Sequence, residues 1–243
     1  MIHNKSVLTI IPARGGSKGL PRKNILRLRG KPLVAWSIQT AKKSMYIDRV
    51  VVSTDDQEIA EVAKMEGGEV PFLRPADLAT DDAKSISVIE HAVDFLSNQG
   101  ENYDYCVFLE PTSPLTEPAD VDKALQILES KRDIADSIVG VSRVTAAHPL
   151  YNVRIDENGL IRPFIRDDFS SPVRRQEVEE LYFLEGSLYV SDLTVLLKAK
   201  SFYHKRTLPF IMPKWKSFEI DDLVDFVCIE AIMNNVDKMR GCD

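Results

Sequence analysis

Residues 7–24 read VLTIIPARGGSKGLPRKN, an apolar run that leads directly into a loop rich in glycine and positive charge. The apolar run is typical of a buried strand, and the glycines after it allow a sharp turn that brings backbone N–H groups close to a ligand. The four cations of the loop suit the charge of a nucleoside triphosphate; they are Arg14, Lys18, Arg22 and Lys23. The stretch therefore predicts a phosphate cradle after the first strand.

A glycine-rich turn between a strand and a helix is common, and by itself it favours no function. This loop is a more specific signal for phosphate binding, because Arg14 and Lys23-Asn24 flank it. A second motif, Gly30-Lys31-Pro32-Leu33, also opens the next predicted helix. It is not a Walker A loop, since no Lys-Ser or Lys-Thr pair follows a glycine at the required spacing.

Length and composition limit the class of protein. A chain of 243 residues is long enough for one large α/β domain with a small excursion. Its net charge of −6 argues against nucleic acid or anionic membranes as partners. The polar start, Met1 to Ser6, and the lack of a long apolar run predict a soluble, cytoplasmic protein. The three cysteines, Cys106, Cys228 and Cys242, are too far apart to predict a disulfide framework or a zinc site.

Four short apolar runs alternate with helical patterns in the first part of the chain. The runs at 7–11, 50–52, 105–109 and 137–141 predict strands buried on both faces of a parallel sheet. Helical spacing is found at 33–43, 56–66, 84–96 and 118–129. The alternation predicts an α/β fold, a Rossmann-like, mostly parallel sheet with helices on both faces.

The pattern changes after about residue 143. Residues 151–161 alternate around a Glu-Asn-Gly turn and predict a hairpin. Strands at 181–190 and 208–212 follow, with a helix at 192–200 between them and a final helix from Asp221 that we expect to bury Leu223, Phe226, Val227 and Ala231. We interpret residues 1–243 as a single domain in which 144–182 form an excursion that contacts another subunit.

Polar residues follow the predicted strands, where open α/β sheets bind ligands. Ser53 to Asp56 favour an N-cap for the second helix. Glu219 and Asp221 are two residues apart, so an extended segment points both carboxylates to one side, a donor pair that suits Mg²⁺. The alternative is that Asp221 or Asp222 caps the final helix.

Further charged residues leave two interpretations open. Arg74 lies in a loop, where an arginine is usually solvated, and Asp81 or Asp82 is expected to cap the helix from residue 84. Arg166, Arg174, Arg175 and Gln176 form either a solvated face or an arginine fork for a substrate carboxylate. His148 has no carboxylate at a recognisable spacing, so a structural role is favoured.

Taken together, these motifs resemble the acylneuraminate cytidylyltransferase family, whose members make CMP-activated nonulosonic acids. The opening Ile10 to Asn24 carries the family's most specific motif. Further similar stretches follow in the family's order along nearly the whole chain; they are Val51 to Asp56, Arg74 to Ala79, Pro111 to Leu115, Arg175-Gln176 and Glu219 to Asp221.

The resemblance implies a nucleotidyltransferase fold with a protruding dimerisation element, and hence a homodimer with shared active sites. The implied reaction transfers CMP from CTP to the anomeric 2-hydroxyl of a nine-carbon sugar acid and releases pyrophosphate, with Mg²⁺ as cofactor. The implied catalytic residues are Arg14, Lys23 and Asp221, and the implied metal ligands are Glu219 and Asp221. The alternatives are a 3-deoxy-manno-octulosonate cytidylyltransferase, another sugar nucleotidyltransferase and a non-catalytic nucleotide sensor.

The resemblance also assigns binding residues position by position. The expected nucleotide-binding residues are Ala13, Arg14, Gly15, Ser17, Lys23, Asn24, Arg74, Ser85, Ser87 and Glu110. The expected sugar-acid residues are Arg166, Arg175 and Gln176.

Three positions depart from the family pattern. Glu110 stands where many members have Gln, which removes an amide donor that reads the cytosine edge. Glu219 stands where Asp is usual, and Glu185-Gly186-Ser187 replaces the common Asn-Gly-Ala. The Glu219 departure lengthens one arm of the metal site, and the Glu185-Gly186-Ser187 departure bears on which sugar acid is used more than on the reaction. Together with Glu110, this last departure gives a slight preference for a legionaminate-type acid.

Overall fold

The apolar run before the glycine loop forms a strand inside a mixed central sheet. The computed structural model describes residues 1–145, 147–165 and 178–240. The strands are β1 Val7–Pro12, β2 Arg27–Leu28, β3 Lys31–Pro32, β4 Arg49–Ser53, β5 Tyr105–Phe108, β6 Ser137–Arg143, β7 Val153–Ile155, β8 Ile161–Pro163, β9 Tyr182–Asp192 and β10 Thr207–Ile211. The α-helices are α1 Leu33–Lys43, α2 Gln57–Met65, α3 Ser85–Ser97, α4 Pro118–Ser130, α5 Leu193–Ala199, α6 Leu223–Met233 and α7 Val236–Met239.

The central sheet has the strand order β10-β6-β9-β5-β1-β4. β1 pairs in parallel with both β4 and β5, and β10 pairs in parallel with β6. β9 is antiparallel to both of its neighbours, β5 and β6. The predicted mostly parallel α/β sheet is therefore confirmed, while the reversed direction of β9 was not predicted, because an apolar strand pattern carries no information about direction.

Helices cover both faces of this sheet and bury β1 between them. Val7 and Ile11 belong to one apolar cluster with residues of α1 and α4, whereas Leu8 and Ile10 belong to a second cluster with residues of α3 and α5. Burial on both faces explains why β1 is a continuous apolar run. Cys106 in β5 is fully buried, and burial raises the pKa of its thiol to about 12, so this cysteine is a core residue as predicted.

The helix starts show which local predictions were correct. Asp56 caps α2, since its carboxylate accepts a hydrogen bond from the Ile59 N–H at 3.0 Å, and the N-cap interpretation is confirmed. The cap expected for α3 was wrong: Lys84 holds the N-cap position and no side chain caps that helix. The carboxylate of Asp81 makes ion pairs with Arg14 and Lys18 instead.

The buried face of α6 was also predicted wrongly. Leu223 and Val227 are 62% and 56% exposed, and the buried residues of this helix are Ile229 and Met233. The helix is apolar on nearly every side, so its sequence contains no polar face that would indicate the solvent side. No helix in the described part of the chain is long and apolar enough to cross a bilayer.

The excursion predicted at 144–182 contains the hairpin that its sequence indicated. β7 and β8 pair antiparallel as a two-stranded sheet, with Ile155 opposite Ile161. Residues 146 and 166–177 lie outside the described residues, so Arg166, Arg174, Arg175 and Gln176 have no described position. The single-domain assignment and the role of the excursion stay predictions.

A buried lysine joins the segment before α6 to the start of α4. The Lys216 side chain is 6% exposed, and its Nζ lies 2.7 Å from Glu117 Oε2 and 2.6 Å from Asp120 Oδ2. Removing it leaves Asp120 without this cation and leaves Glu117 paired with Arg240 alone, and breaking a fully buried ion pair costs about 3–5 kcal/mol. Because Glu117 is one-third exposed, we expect Lys216→Ala to lower the free energy of unfolding by about 2 kcal/mol.

Urea denaturation measures this loss, and Lys214→Ala is the matched control, since Lys214 is exposed two residues away. We expect the control to lie within about 0.5 kcal/mol of the parent chain. Equal losses for the two variants would show that the buried ion pairs do not contribute specifically.

Candidate active site

Most of the predicted site residues line one cavity of about 500 Å³, which we call the cradle pocket. It is formed where β1 and β5 end and where the loop after β1 meets the segment before α6. The predicted residues that line it are Arg14, Ser17, Lys23, Asn24, Arg74, Ser85, Glu110 and Asp221. The structure therefore brings together residues that lie more than 200 positions apart in the sequence, Arg14 and Asp221 among them.

The loop after β1 is held by one hydrogen bond within the loop and by two to residues at and after the end of β4. The buried Asn24 donates from Nδ2 to the carbonyl oxygen of Arg14 at 2.9 Å, and the Gly15 N–H donates to Asp55 Oδ1 at 3.0 Å. The Ala13 N–H donates to the Ser53 carbonyl oxygen at 2.9 Å, and Ala13 is fully buried. Asn24, Gly15 and Ala13 thus shape the loop, and three of its cations, Arg14, Lys18 and Lys23, line the cavity. The fourth, Arg22, is not among the lining residues, because its guanidinium pairs with Asp56 and Glu58.

Lys23 connects this loop to the acidic segment, residues 219–222. Its Nζ donates to the Ile220 carbonyl oxygen at 2.6 Å and lies 3.2 Å from Asp221 Oδ1. A Cβ atom on Gly19 would clash with the carbonyl oxygen of Asp221, so a residue without a side chain is needed where the two segments meet. Cationic and acidic parts of the predicted site are therefore in direct contact.

The structure decides which aspartate caps α6. Asp222 Oδ1 accepts hydrogen bonds from the N–H groups of Val224 at 2.7 Å and Asp225 at 3.1 Å, so Asp222 is the N-cap. The Asp221 side chain is 81% exposed and lies in the cradle pocket. Of the two roles considered for Asp221, the cap is excluded, which leaves its carboxylate available to a ligand.

Glu219 is placed differently from Asp221. Its carboxylate accepts a hydrogen bond from the Gly186 N–H in β9, and it is not among the described residues that line the cradle pocket. Burial, followed by the charge of Asp221, raises the pKa of the Glu219 carboxyl above its usual value. The charge of Asp221 therefore disfavours ionisation of Glu219, and the Lys23 cation opposes this effect.

This donor set fits Mg²⁺ shared with a phosphate ligand. Mg²⁺ is usually held by one or two carboxylates, with phosphate oxygens and water completing six ligands. Among the described residues no cluster of three or more His, Cys, Asp or Glu side chains could hold a metal ion alone. Glu219 and Asp221 could supply such a pair, and the remaining ligands would then come from a triphosphate in the cradle pocket.

Asp81 is a residue of the pocket that sequence analysis assigned to another role. Its Oδ1 lies 2.7 Å from Arg14 Nη2, and its carboxylate also pairs with Lys18. Hydrogen bonds from Lys18 and Arg14 lower the pKa of Asp81, so it stays charged. Asp81 therefore neutralises Arg14 and Lys18, and an anion that binds to these two cations must displace the Asp81 carboxylate.

Arg74 is buried rather than solvated. Its Nε donates to Ser53 Oγ at 3.0 Å, and its Nη1 donates to the Leu78 carbonyl oxygen at 3.3 Å. Burial lowers the pKa of its guanidinium to about 10, so it remains protonated at neutral pH. Arg74 fixes the loop that forms one wall of the cradle pocket.

Glu110 stands between the cradle pocket and a second cavity of about 270 Å³. Burial, followed by the charge of Glu219, raises the pKa of the Glu110 carboxyl to about 7.

The second cavity is walled by aromatic rings, and those of Tyr189 and Phe202 have their centroids 5.2 Å apart. Ser85 also borders both cavities, whereas Ser87 is not among the described residues lining either one. Two adjoining cavities can hold two substrates side by side.

The aromatic wall was missed by sequence analysis. It consists of Phe108, Tyr189, Phe202 and Tyr203. Tyr189 lies in the unpredicted antiparallel strand β9, and Phe202 and Tyr203 follow α5, where the sequence shows only an ordinary loop. His148 is outside both cavities; its Nδ1 accepts the Leu150 N–H at 3.2 Å, which agrees with a structural role.

Comparison with known proteins gives concordant matches. Residues 8–234 match the family model described as cytidylyltransferase. The chain is 34% identical over 229 residues to a CMP-N,N'-diacetyllegionaminic acid synthase from Legionella pneumophila, covering 93% of this chain and 96% of that protein. It is 32% identical over 219 residues to a pseudaminic acid cytidylyltransferase from Campylobacter jejuni, covering 90% and 92%.

A solved structure shares the fold at low identity. It is a CMP:2-keto-3-deoxy-manno-octonic acid synthetase complexed with CTP, with a TM-score of 0.68 and 18% sequence identity. The match covers 95% of this chain and 99% of that one.

Proposed function

The chain belongs to the cytidylyltransferase family, and from this premise we propose that it transfers CMP from CTP to the anomeric 2-hydroxyl of a nonulosonic acid and releases pyrophosphate. The observation that carries the proposal is the meeting of Lys23 with the acidic segment inside the cradle pocket. That contact places a cation for the triphosphate beside Asp221, a carboxylate suited to its metal. A triphosphate site of this kind supports a catalyst better than a nucleotide sensor.

In the proposed reaction the protein positions the substrates and stabilises charge on the triphosphate. Arg14 and Lys23 hold the triphosphate and stabilise the negative charge that develops as the α-phosphorus accepts the sugar hydroxyl and pyrophosphate leaves in line. The Ser17 hydroxyl, which lines the cradle pocket, supplies a hydrogen bond to a phosphate oxygen. Phosphoryl-type transfer needs little covalent help, so we expect no covalent enzyme intermediate. Mg²⁺ held by Glu219 and Asp221 would neutralise charge on the triphosphate.

The two cavities suggest how the substrates are arranged. The cradle pocket takes CTP, with Arg74 and Ser85 on the side of the cytidine. The adjoining aromatic cavity takes the sugar acid, and Glu110 lies where the two would meet. The names of the matched relatives favour a nonulosonic acid of the legionaminate or pseudaminate type. We further propose a homodimer that acts in the cytoplasm.

A pyrophosphate-release assay with CTP tests the function. The acceptors are N-acetylneuraminate, legionaminate, pseudaminate and 3-deoxy-manno-octulosonate, each with CTP, UTP or ATP and with Mg²⁺ or a chelator. We expect release with CTP and at least one nine-carbon acid. Release only with the eight-carbon acid would reassign the substrate, and CTP binding without release from any acceptor would favour a sensor.

Asp81→Asn should improve CTP binding. The substitution keeps the side chain's size but removes the charge that competes with the triphosphate for Arg14 and Lys18. Because exposed ion pairs are weak and screened by solvent, we expect the dissociation constant for CTP to fall only about two- to five-fold. Titration calorimetry measures it, with Asp82→Asn as the control at an exposed neighbour. Weaker binding by Asp81→Asn alone would show that Asp81 assists the ligand.

A further inference from the structure

A third cavity, of about 280 Å³, lies between α1, the segment that follows β5, and the end of α6. We call it the α1 cavity. It is about as large as the aromatic cavity of about 270 Å³, and no described residue lines it together with either of the other two cavities. Its volume is near the lower limit of known ligand pockets, so it admits a small molecule at a place distinct from the candidate active site.

Three cations line the α1 cavity; they are Arg29, Lys31 and Lys43. Among the described residues none of the three makes an ion pair. Arg29 Nη1 donates to the Met233 carbonyl oxygen at 2.9 Å, and Lys31 Nζ donates to Gln39 Oε1 at 2.8 Å. Carbonyl and amide oxygens are neutral acceptors, so the positive charges of this cavity are left without a compensating anion.

The acidic residue among those lining the α1 cavity is Glu117, and its carboxylate already pairs with Lys216 and Arg240. Three cations against this one carboxylate give the described lining residues a net charge of +2. A phosphate monoester carries a charge of about −1.5 to −2 at neutral pH. The charge of the cavity therefore matches a phosphate monoester.

Both tryptophans of the chain, Trp36 and Trp215, line the α1 cavity. Lys31 Nζ lies 5.0 Å from the centre of the Trp36 ring, so a cation and an aromatic surface are adjacent. Trp215 is 9% exposed, and its indole N–H has no hydrogen-bond partner among the described residues. A buried donor without an acceptor is rare in proteins, and an acceptor on a ligand would complete this wall. Indole rings also provide surfaces on which flat heterocycles stack.

We propose that the α1 cavity binds a small organic phosphate that carries a flat ring, a ligand of the nucleoside monophosphate class. The cations hold the phosphate, and the indole walls contact the base. A nucleoside monophosphate is similar in size to the sugar acid placed above in the aromatic cavity, which has nearly the same volume. This second site is independent of the proposed CMP transfer.

The α1 cavity is built from chain segments that continue into the cradle pocket. Residues 110–112 line the cradle pocket and residues 114–118 line the α1 cavity. The Thr112 carbonyl oxygen accepts the Ile220 N–H at 2.9 Å, and Ile220 belongs to the same apolar cluster as Trp215. A ligand in the cradle pocket could therefore disturb the tryptophans from a distance, so a test of the α1 cavity must exclude binding in the cradle pocket.

Tryptophan fluorescence reports on the α1 cavity, because both indoles of the chain line it. The probe is AMP, titrated with and without saturating CTP and Mg²⁺. We expect a saturable change in emission under both conditions. Adenosine lacks the phosphate and ribose 5-phosphate lacks the base, so each should bind at least about ten-fold more weakly than AMP.

A charge reversal on α1 locates the binding. Lys43 is exposed, and Lys43→Glu removes one cation of the cavity and adds a carboxylate, so the dissociation constant for AMP should rise at least about ten-fold. Lys42→Glu is the matched control, because Lys42 is the exposed neighbour on α1 and is not among the residues that line the cavity. It should change the dissociation constant by less than about two-fold. Circular dichroism checks the folding of both variants.

Several outcomes would overturn the proposed second site. They are a lack of any saturable response to AMP, equal effects of the two lysine variants, and a response that disappears when CTP is present, which would place AMP in the cradle pocket. Adenosine binding as tightly as AMP would show that the cations do not hold a phosphate. If AMP binds as expected but no acceptor supports pyrophosphate release, the proposed function fails and this site stands.

Discussion

Lys23→Ala is expected to lower kcat by about 10²–10³-fold, the cost of removing one preorganised donor from a site where charge develops. The Lys23 side chain is 14% exposed, and its Nζ contacts both the Ile220 carbonyl oxygen and the Asp221 carboxylate. Among the described residues of the loop after β1, Lys23 is the one whose side chain makes a hydrogen bond and an ion pair to the acidic segment, residues 219–222. Pyrophosphate release at saturating CTP and sugar acid measures the effect.

The loss should be catalytic rather than structural. One hydrogen bond to a carbonyl oxygen contributes about 1 kcal/mol, which corresponds to a shift of roughly 2–4 °C in Tm for a chain of this size. Lys43→Ala, at an exposed position of α1, is the control and should retain full turnover. Turnover by Lys23→Ala within a few-fold of the parent would remove the central support of the proposed function.

Asp221→Asn is expected to raise the half-saturating Mg²⁺ concentration by at least about 10–100-fold. Removing a residue that hydrogen-bonds to a metal ligand typically weakens metal binding by this factor. Removing the ligand itself should weaken metal binding at least as much. The substitution preserves size and can still accept a hydrogen bond from Lys23, so a change in metal dependence reports on the charge. Initial rates across an Mg²⁺ series at fixed CTP measure it.

Asp222→Asn, one residue away, is the matched control. Asp222 caps α6, and Asn is as good an N-cap as Asp, so stability and metal dependence should both be nearly unchanged. An unaltered Mg²⁺ response for Asp221→Asn would show that its carboxylate does not hold the metal, and Glu219 would then be the first residue to test.

The features predicted well from sequence are those decided by neighbouring residues. The strand β1, the helix α1 and the Asp56 cap each depend on burial or hydrogen bonds within a few positions. The carboxyl-end rule for open α/β sheets also predicts a ligand site among the polar residues that follow the strands, and Arg14 and Glu110, which follow β1 and β5, line one cavity.

The features missed depend on residues far apart in the sequence. Asp81 lies three residues before the α3 N-cap and is a plausible local cap, but its carboxylate is taken by Arg14 and Lys18 from the cradle loop. The direction of β9 and the buried side of α6 are likewise set by packing partners rather than by local pattern.

The contact between Lys23 and Ile220 joins residues 197 positions apart. During synthesis the amino-terminal strands and the glycine-rich turn emerge first, since chains are made from that end and fold largely as units. The nascent polypeptide nevertheless lacks the acidic side of the nucleotide pocket until residues 219–222 have been made. A product that ends before Ile220 should therefore be unable to turn CTP over.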